Sequence, residues 1–482
     1  MRAKQIFYGA GHNLRFHIKD WLSRGIAPVC IVDASVEKKG TMFSHSGKNL
    51  EILSLQEASL RYPDCDYYIT IIAPNCYNVK ESLISQGVAA SRIFILADMF
   101  VEYPEEDNSD LPFAPDDMVK SCDYLERGIS FLFDGIYCCC LSGGRSGVLI
   151  DAETLNAHDD ISASDLCEMI ISARRQYFLA LNGKIQHPLG TCEKCVFLSE
   201  KPFSEVTFSG LGGKSGLQLV NDQSTLVCNH RCVYCRGANT SNKQYACRYD
   251  HRIVFKALDG FISRQKPSYF FAALNSGETA LRKDLDELLD YFRTHELENI
   301  YIYSNASVYS KGVERSLKSG CVNLITSIDA GTPETYKKVH GADDFDKVIL
   351  NLINYSVLGD NRHMRIKYVV LDDESNTSDE DLLGFLYAAL LIKPEDINVL
   401  PQFRDSSESV PDSTIEFAAR MFFLCPIITG HILCFFPALG ISGDTEEFSK
   451  KVLERVESFD ETKKSRLTEI ALNYLRSRLC KK

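Results

Sequence analysis

The chain has 482 residues, 45% apolar and 24% charged, the balance of an ordinary folded protein rather than a disordered or collagen-like one. Lys and Arg number 53 against 65 Asp and Glu, a net charge of −12, which argues against nucleic acid as a partner. The 18 cysteines stand out. The opening MRAKQIFYGAGHN holds no apolar run of the secretory kind, so the cytoplasm is expected, where clustered cysteines read as metal ligands rather than disulfides.

Residues 1–100 alternate strand and helix signals, with strands expected at Gln5 to Tyr8, Pro28 to Val32, Tyr67 to Ile72 and Arg92 to Leu96. Such alternation predicts an α/β fold with a parallel, doubly wound sheet. Gly9-Ala10-Gly11 after the first strand and Asp33 at the end of the second fit the first half of a dinucleotide fingerprint, with Leu14 where a third glycine would stand. The segment resembles small Rossmann-like domains attached to sugar-modifying proteins; nucleotide binding and a scaffold role both remain open.

Residues 97–120, rich in Asp, Glu and Pro, read as a linker. The segment 121–215 carries Cys138-Cys139-Cys140, a Gly/Ser turn, a helix around Ser164 to Leu181, and Cys192-x-x-Cys195. From 216 to 405 the alternation returns, with strands at 217–221, 269–274, 299–304, 322–328, 364–371 and 396–400, six units that suggest a partial α/β barrel. Residues 406–482 read as mostly helical. Met421 to Leu439 carries no Lys, Arg, Asp or Glu, but Pro426, Gly430 and Pro437 interrupt it, so a buried helix followed by a strand or turn is expected rather than a membrane span.

The segment LVCNHRCVYCRGAN sets Cys228-x-x-x-Cys232-x-x-Cys235 with Tyr234 before the last cysteine. At this cysteine content that spacing is expected about 0.025 times by chance. Three thiolates on a short loop suit three irons of a 4Fe–4S cluster, with the fourth iron open. A zinc site closed by His230 is the alternative, cramped because His230 lies inside the loop.

These residues resemble the radical S-adenosylmethionine (SAM) superfamily, whose C-x-x-x-C-x-aromatic-C signature is met without departure. The resemblance implies a partial barrel whose cluster chelates SAM and cleaves it to a 5′-deoxyadenosyl radical, which abstracts hydrogen from substrate. Asn275-Ser276-Gly277-Glu278-Thr279 resembles the family's Gly-Gly-Glu-Pro motif, with Ser276 and Thr279 departing from it. It implies that Gly277 and Glu278 hold the SAM amino group; the same Glu278 reads otherwise as a helix cap. Tyr303-Ser304-Asn305 is similar to the family's Thr-Asn-Gly, and Ser327-Ile328-Asp329-Ala330 with GTPETYKKVHG resembles the fourth strand and helix of peptide and sugar maturases. Tyr234, Asn305, Ser327 and Asp329 are thereby implied as cofactor-binding, with Lys367 and Asn376 as lesser candidates.

Cys139, Cys140, Cys192 and Cys195, with Cys138 as an alternative ligand, resemble a SPASM-type extension holding an auxiliary iron–sulfur cluster, placed here before the barrel. The expected function is hydrogen abstraction from a sugar or nucleotide-linked small molecule, with peptide maturation as the alternative and a flavodoxin or ferredoxin as electron donor. A non-catalytic iron–sulfur sensor or nucleotide-binding module is the rival from another class. The expected divisions are 1–100, 121–215, 216–405 and 406–482.

Overall fold

The computed structural model describes residues 4–10, 14, 18, 21–22, 25–35, 38–45, 48–71, 75–96, 108–139, 147–158, 160–189, 192–193, 195, 197–208, 217–222, 227–235, 247–264, 270–275, 277–297, 299–402, 409–435 and 442–479. The chain divides into two compact units. The first joins 1–128, 163–218 and 257–269; the second joins 129–162, 219–256 and 270–482. The stretch 121–215 thus contributes to both.

The first unit opens with β1 (Lys4–Tyr8), β2 (Pro28–Val32), β3 (Met42–His45), β4 (Lys48–Leu53), β5 (Cys65–Ile69) and β6 (Ile93–Ile95), arranged β3-β4-β2-β1-β5-β6. All pairs are parallel except β3 with β4. Side chains alternate across a strand, so Ile6, Val32 and Ile69 join one apolar cluster while Phe7, Ile31 and Tyr68 join another with Leu14, Ile18 and Trp21. Both faces are buried, which is why these strands read as continuous apolar runs. The antiparallel β3–β4 pair was not expected, because MFSH and KNLEIL mix polar and apolar residues.

β7 (Met118–Ser121) follows in this unit, and the chain then runs through β8 (Gly128–Leu132), β9 (Gly135–Tyr137) and β10 (Val148–Asp151), an antiparallel meander. Helix α1 (Ala163–Leu181) and β11 (Ser199–Pro202) return to the first unit, where β11 pairs antiparallel with β7. The guanidinium of Arg174, fully buried in α1, donates to the carbonyls of Phe208 and Gly128, both at 2.7 Å, and lies over the Phe261 ring. Phe261 belongs to α2 (Ile253–Arg264). A Cβ on Gly260 would come within 2.2 Å of the Ala163 carbonyl, so that position must lack a side chain.

The second unit holds a ten-stranded sheet. β12 (Leu217–Asp222), β13 (Phe270–Leu274), β14 (Ile300–Tyr303), β15 (Val322–Ser327), β16 (Met364–Val370), β17 (Asp396–Pro401) and β18 (Leu433–Phe435) extend the meander in the order β10-β9-β8-β12-β13-β14-β15-β16-β17-β18. β13 to β18 are parallel. Strands β12 to β17 fall where the sequence places them; β8 to β10 and β18 enlarge the sheet beyond the expected six. Helices alternate with these strands, among them α3 (Pro333–His340) after β15 and α4 (Asp412–Thr429) before β18. α4 stops at Gly430, whose φ of 75° is left-handed. Among the described residues no helix is long and apolar enough to cross a membrane.

Candidate active site

The cysteine loop, residues 227–235, is bound to the C-terminal ends of parallel strands. The Glu278 backbone N–H after β13 donates to the Val227 carbonyl at 2.8 Å. The Arg231 and Val233 N–H groups donate to the carbonyls of His340 and Val339 at 2.8 and 2.9 Å, so the loop lies along the end of α3. The sequence of α3 suits this place: Thr332 caps it, Pro333 opens it, and Gly341 closes it with φ 64°. A Cβ on Gly341 would stand 3.1 Å from the Arg231 carbonyl oxygen and 3.2 Å from its Cβ, so glycine serves both the left-handed turn and the close approach of the loop.

Side chains complete the anchoring. Asn305, after β14, donates from Nδ2 to the Asn229 Oδ1 at 3.0 Å, and Asn229 donates to the Ser307 hydroxyl at 2.8 Å. Asn305 Oδ1 accepts from the Ser307 N–H and hydroxyl. Tyr234 donates its hydroxyl to Asp329 Oδ2, after β15, and packs against the cluster of Val339, Val369 and Leu371. Asp329 Oδ1 accepts from the Val369 N–H at 2.7 Å. Asn376 donates to the Asp329 and Val369 carbonyls and accepts from the Leu371 N–H, joining the ends of β15 and β16.

Two residues assigned to SAM by sequence resemblance are engaged with the chain itself. Glu278 is 2% exposed; its carboxylate accepts from the Ser304 hydroxyl and Asn305 N–H, both at 2.6 Å, and from the Ala280 N–H at 2.9 Å. The last of these is the cap bond of the alternative reading. Burial pushes its pKa up against those three donors. Asp329 is wholly buried, with φ 54° and both oxygens bonded to Tyr234 and Val369. Burial raises its pKa to about 6, against the pull of the Tyr234 and Val369 bonds and of Lys367. Gly277 is exposed with φ 57°, and Ser327 is half-buried, in register with Lys367 on β16. Burial lowers the Lys367 pKa.

Cys228 and Cys232 are half-buried and Cys235 is exposed. The His230 N–H points to the Cys228 Sγ at 3.4 Å. Burial pushes the Cys228 and Cys232 thiols up, and the charges of the neighbouring cysteines push the same way. A cationic centre removes that cost by taking thiolates as ligands. Three sulfurs on one anchored loop, with an N–H aimed at one of them, fit a 4Fe–4S cluster. Among the described residues, His230, Cys232 and His340 form a set whose ligand atoms lie within 4.8 Å of one another. His340 escaped sequence reasoning; its one signal was its place in the GTPETYKKVHG phrase.

Cys138 is buried and Cys139 half-buried in the second unit; Cys192 and Cys195 are half-buried in the first. Cys140, Ser276 and Gly11 lie outside the described residues. In the front loop, Asp33 accepts from the Ala10 N–H at 2.6 Å and the Ser35 N–H at 2.9 Å, so it ties down the turn after β1. Gly9 has φ 109°, and a Cβ there would stand 2.7 Å from the Ile71 side chain.

Residues 223–386 match the family model of the radical SAM superfamily. The chain carries a radical SAM domain. The probable GTP 3′,8-cyclase of Methanocaldococcus jannaschii is 26% identical over 127 residues, 26% of this chain and 41% of that protein. The mycofactocin maturase MftC of Mycobacterium ulcerans is 26% identical over 135 residues, 28% of this chain and 35% of that protein. The chain therefore spans well under half the length of these curated relatives. Among solved structures, SuiB of Streptococcus suis bound to S-adenosylmethionine is 18% identical with a TM-score of 0.33, covering 44% of this chain and 48% of that one. Native anSMEcpe with bound AdoMet is 15% identical with a TM-score of 0.35, covering 44% of this chain and 62% of that one. The matched span contains the radical SAM cysteine triad and every strut of its loop named above.

Proposed function

We propose that the protein is a SAM-dependent radical enzyme in which Cys228, Cys232 and Cys235 hold a 4Fe–4S cluster. The observation that carries this reading is the convergence of the cysteine loop with the C-terminal ends of β13 to β16 through Glu278, Asn305, Tyr234 and Asp329. Ligand sites of parallel α/β folds gather at that end. When bound, the cluster supplies the electron that cleaves SAM to methionine and a 5′-deoxyadenosyl radical, which takes a hydrogen atom from substrate. The backbone at Gly277 serves the SAM amino group, and Ser327 with Lys367 suits its carboxylate. Glu278 and Asp329 act one step removed, by fixing the Asn305 turn and Tyr234.

The substrate is a small sugar or nucleotide-linked molecule. Tyr301 and Tyr303 on β14 and Arg365 and Lys367 on β16 are half-buried and alternate with buried neighbours. They share one face of the sheet, where Lys367 lies over the Tyr303 ring. Arg365 is paired with Asp396, and a face of tyrosines and cations suits a phosphate-bearing partner. Peptide maturation is the second reading, favoured by the likeness to mycofactocin maturase MftC. A flavodoxin or ferredoxin supplies electrons in either case. Anaerobic incubation with SAM, reductant and nucleotide-sugar or peptide panels, scoring 5′-deoxyadenosine above the substrate-free rate, tests both readings. Stimulation by peptides alone contradicts the first.

A further inference from the structure

We propose that His230, Cys232 and His340 form a mononuclear site for zinc(II), distinct from the cluster and exclusive with it because both use the Cys232 thiolate. One ligand atom from each of the three residues lies within 4.8 Å of the others. Hydrogen bonds decide which ring nitrogens are available. His340 Nε2 stands 3.0 Å from the Ile328 carbonyl and 3.6 Å from Asp329 Oδ2. Neither oxygen is a donor in the ionised state, so Nε2 carries the hydrogen and Nδ1 the lone pair. That Nδ1 stands 3.0 Å from the Cys232 Sγ and accepts the S–H of the metal-free thiol.

His230 repeats the pattern. Its Nε2 donates to Asp344 Oδ2 at 3.1 Å, which leaves Nδ1 as the lone-pair nitrogen. Among the described residues this Nδ1 is buried without a hydrogen-bond partner, in a residue 4% exposed. A buried acceptor without a partner is destabilising, and coordination to a cation removes that cost. The arrangement has the outer shell of a zinc site: each histidine gives its second nitrogen to a carboxylate or a carbonyl, fixing tautomer and ring orientation. The rings are also held mechanically, His340 against Tyr336 at 4.3 Å and His230 edge-on to the same tyrosine at 5.9 Å between centroids.

Two imidazoles and one thiolate suit zinc and leave a fourth position for water. Binding displaces the Cys232 proton to solvent, forms one metal–sulfur and two metal–nitrogen bonds, and changes no oxidation state. A zinc-loaded Cys232 is closed to iron, so zinc in this site blocks cluster assembly. The proposal does not rest on the cluster reading, because it is tested on protein that holds no iron.

The test uses the full chain, stripped of metal under anaerobic reducing conditions and titrated with Co2+ and with Zn2+ against a chromophoric chelator. The expected result is one equivalent bound, with thiolate-to-cobalt charge transfer. Binding is abolished in His230→Ala, His340→Ala and Cys232→Ser, and retained in Cys228→Ser and Cys235→Ser. Asp344→Asn leaves all three ligands in place and should weaken zinc by about 10- to 100-fold, which separates lost coordination from a misfolded variant. Zinc bound equally by the histidine variants but lost with Cys228→Ser would show a cysteine-only site and overturn the proposal, as would the absence of a stoichiometric site.

Discussion

Tyr234→Phe removes one oxygen from the ring that ties the cysteine loop to β15. The Tyr234 hydroxyl donates to the wholly buried Asp329 carboxylate, and a hydrogen bond to a charged group contributes about 1.5–3 kcal/mol. Without it, Asp329 keeps the Val369 N–H bond and the His340 Nε2 at 3.6 Å from Oδ2, and the loop should open about 10- to 150-fold more readily. The assay is amide hydrogen exchange on metal-free protein, read at Arg231 and Val233, whose N–H groups are held by the His340 and Val339 carbonyls. The effect depends on pH with a definite sign. Asp329 has a pKa of about 6; above it the lost bond is charge-assisted. Well below it the partner is a neutral acid, and the ratio of variant to wild-type exchange should fall to about 2- to 10-fold. Equal exchange in the two proteins at pH 8 would refute the claim that Tyr234 tethers the loop.

The other expectations are narrower. Asp329 holds its proton up to about pH 6 in the folded chain against an ordinary value of 3.8, so the folded state binds more protons in that window. Stability should therefore fall as pH rises through it, by up to about 3 kcal/mol, and Asp329→Asn should flatten that slope in denaturant titrations. Gly341→Ala adds a Cβ against Arg231 at a left-handed position and should destabilise the site by at least about 1 kcal/mol, seen as faster exchange at Arg231. Asp33→Ala leaves the Ala10 and Ser35 N–H groups without their acceptor and should lower the stability of the first unit by about 1–3 kcal/mol. Iron analysis of the anaerobically purified chain should give about eight irons if the auxiliary cluster accompanies the first; about four would remove it.

The cysteine triad was legible because its information is local: three sulfurs within eight residues need no knowledge of the fold. The parallel strands were legible where burial makes them apolar, as in Phe270–Leu274, or mostly so, as in Val322–Ser327, whose Asn323 and Thr326 are buried polar residues. What holds the triad was not. Tyr234 and Asp329 are 95 residues apart, Asn305 and Asn229 76, and Cys232 and His340 108, and no periodicity in the sequence records such pairings. Resemblance picked out Glu278 and Asp329 as cofactor-binding, without the Ser304, Asn305, Tyr234 and Val369 groups that bond to them. Their burial and the donors around them are consequences of the folded ends of β13 to β16. The meander β8 to β10 was hidden for a similar reason, since it lies in a segment read for its cysteines and its strands are only three to five residues long.

The central claim is that the anchored cysteine loop supports reductive SAM cleavage. The most direct measurement is the yield of 5′-deoxyadenosine and methionine from SAM and dithionite under anaerobic conditions, for the wild-type chain and for the Cys228/Cys232/Cys235 triple alanine variant. The account predicts stoichiometric or catalytic product from the wild type and none from the variant, with the variant still folded. Equal 5′-deoxyadenosine from both proteins would contradict it.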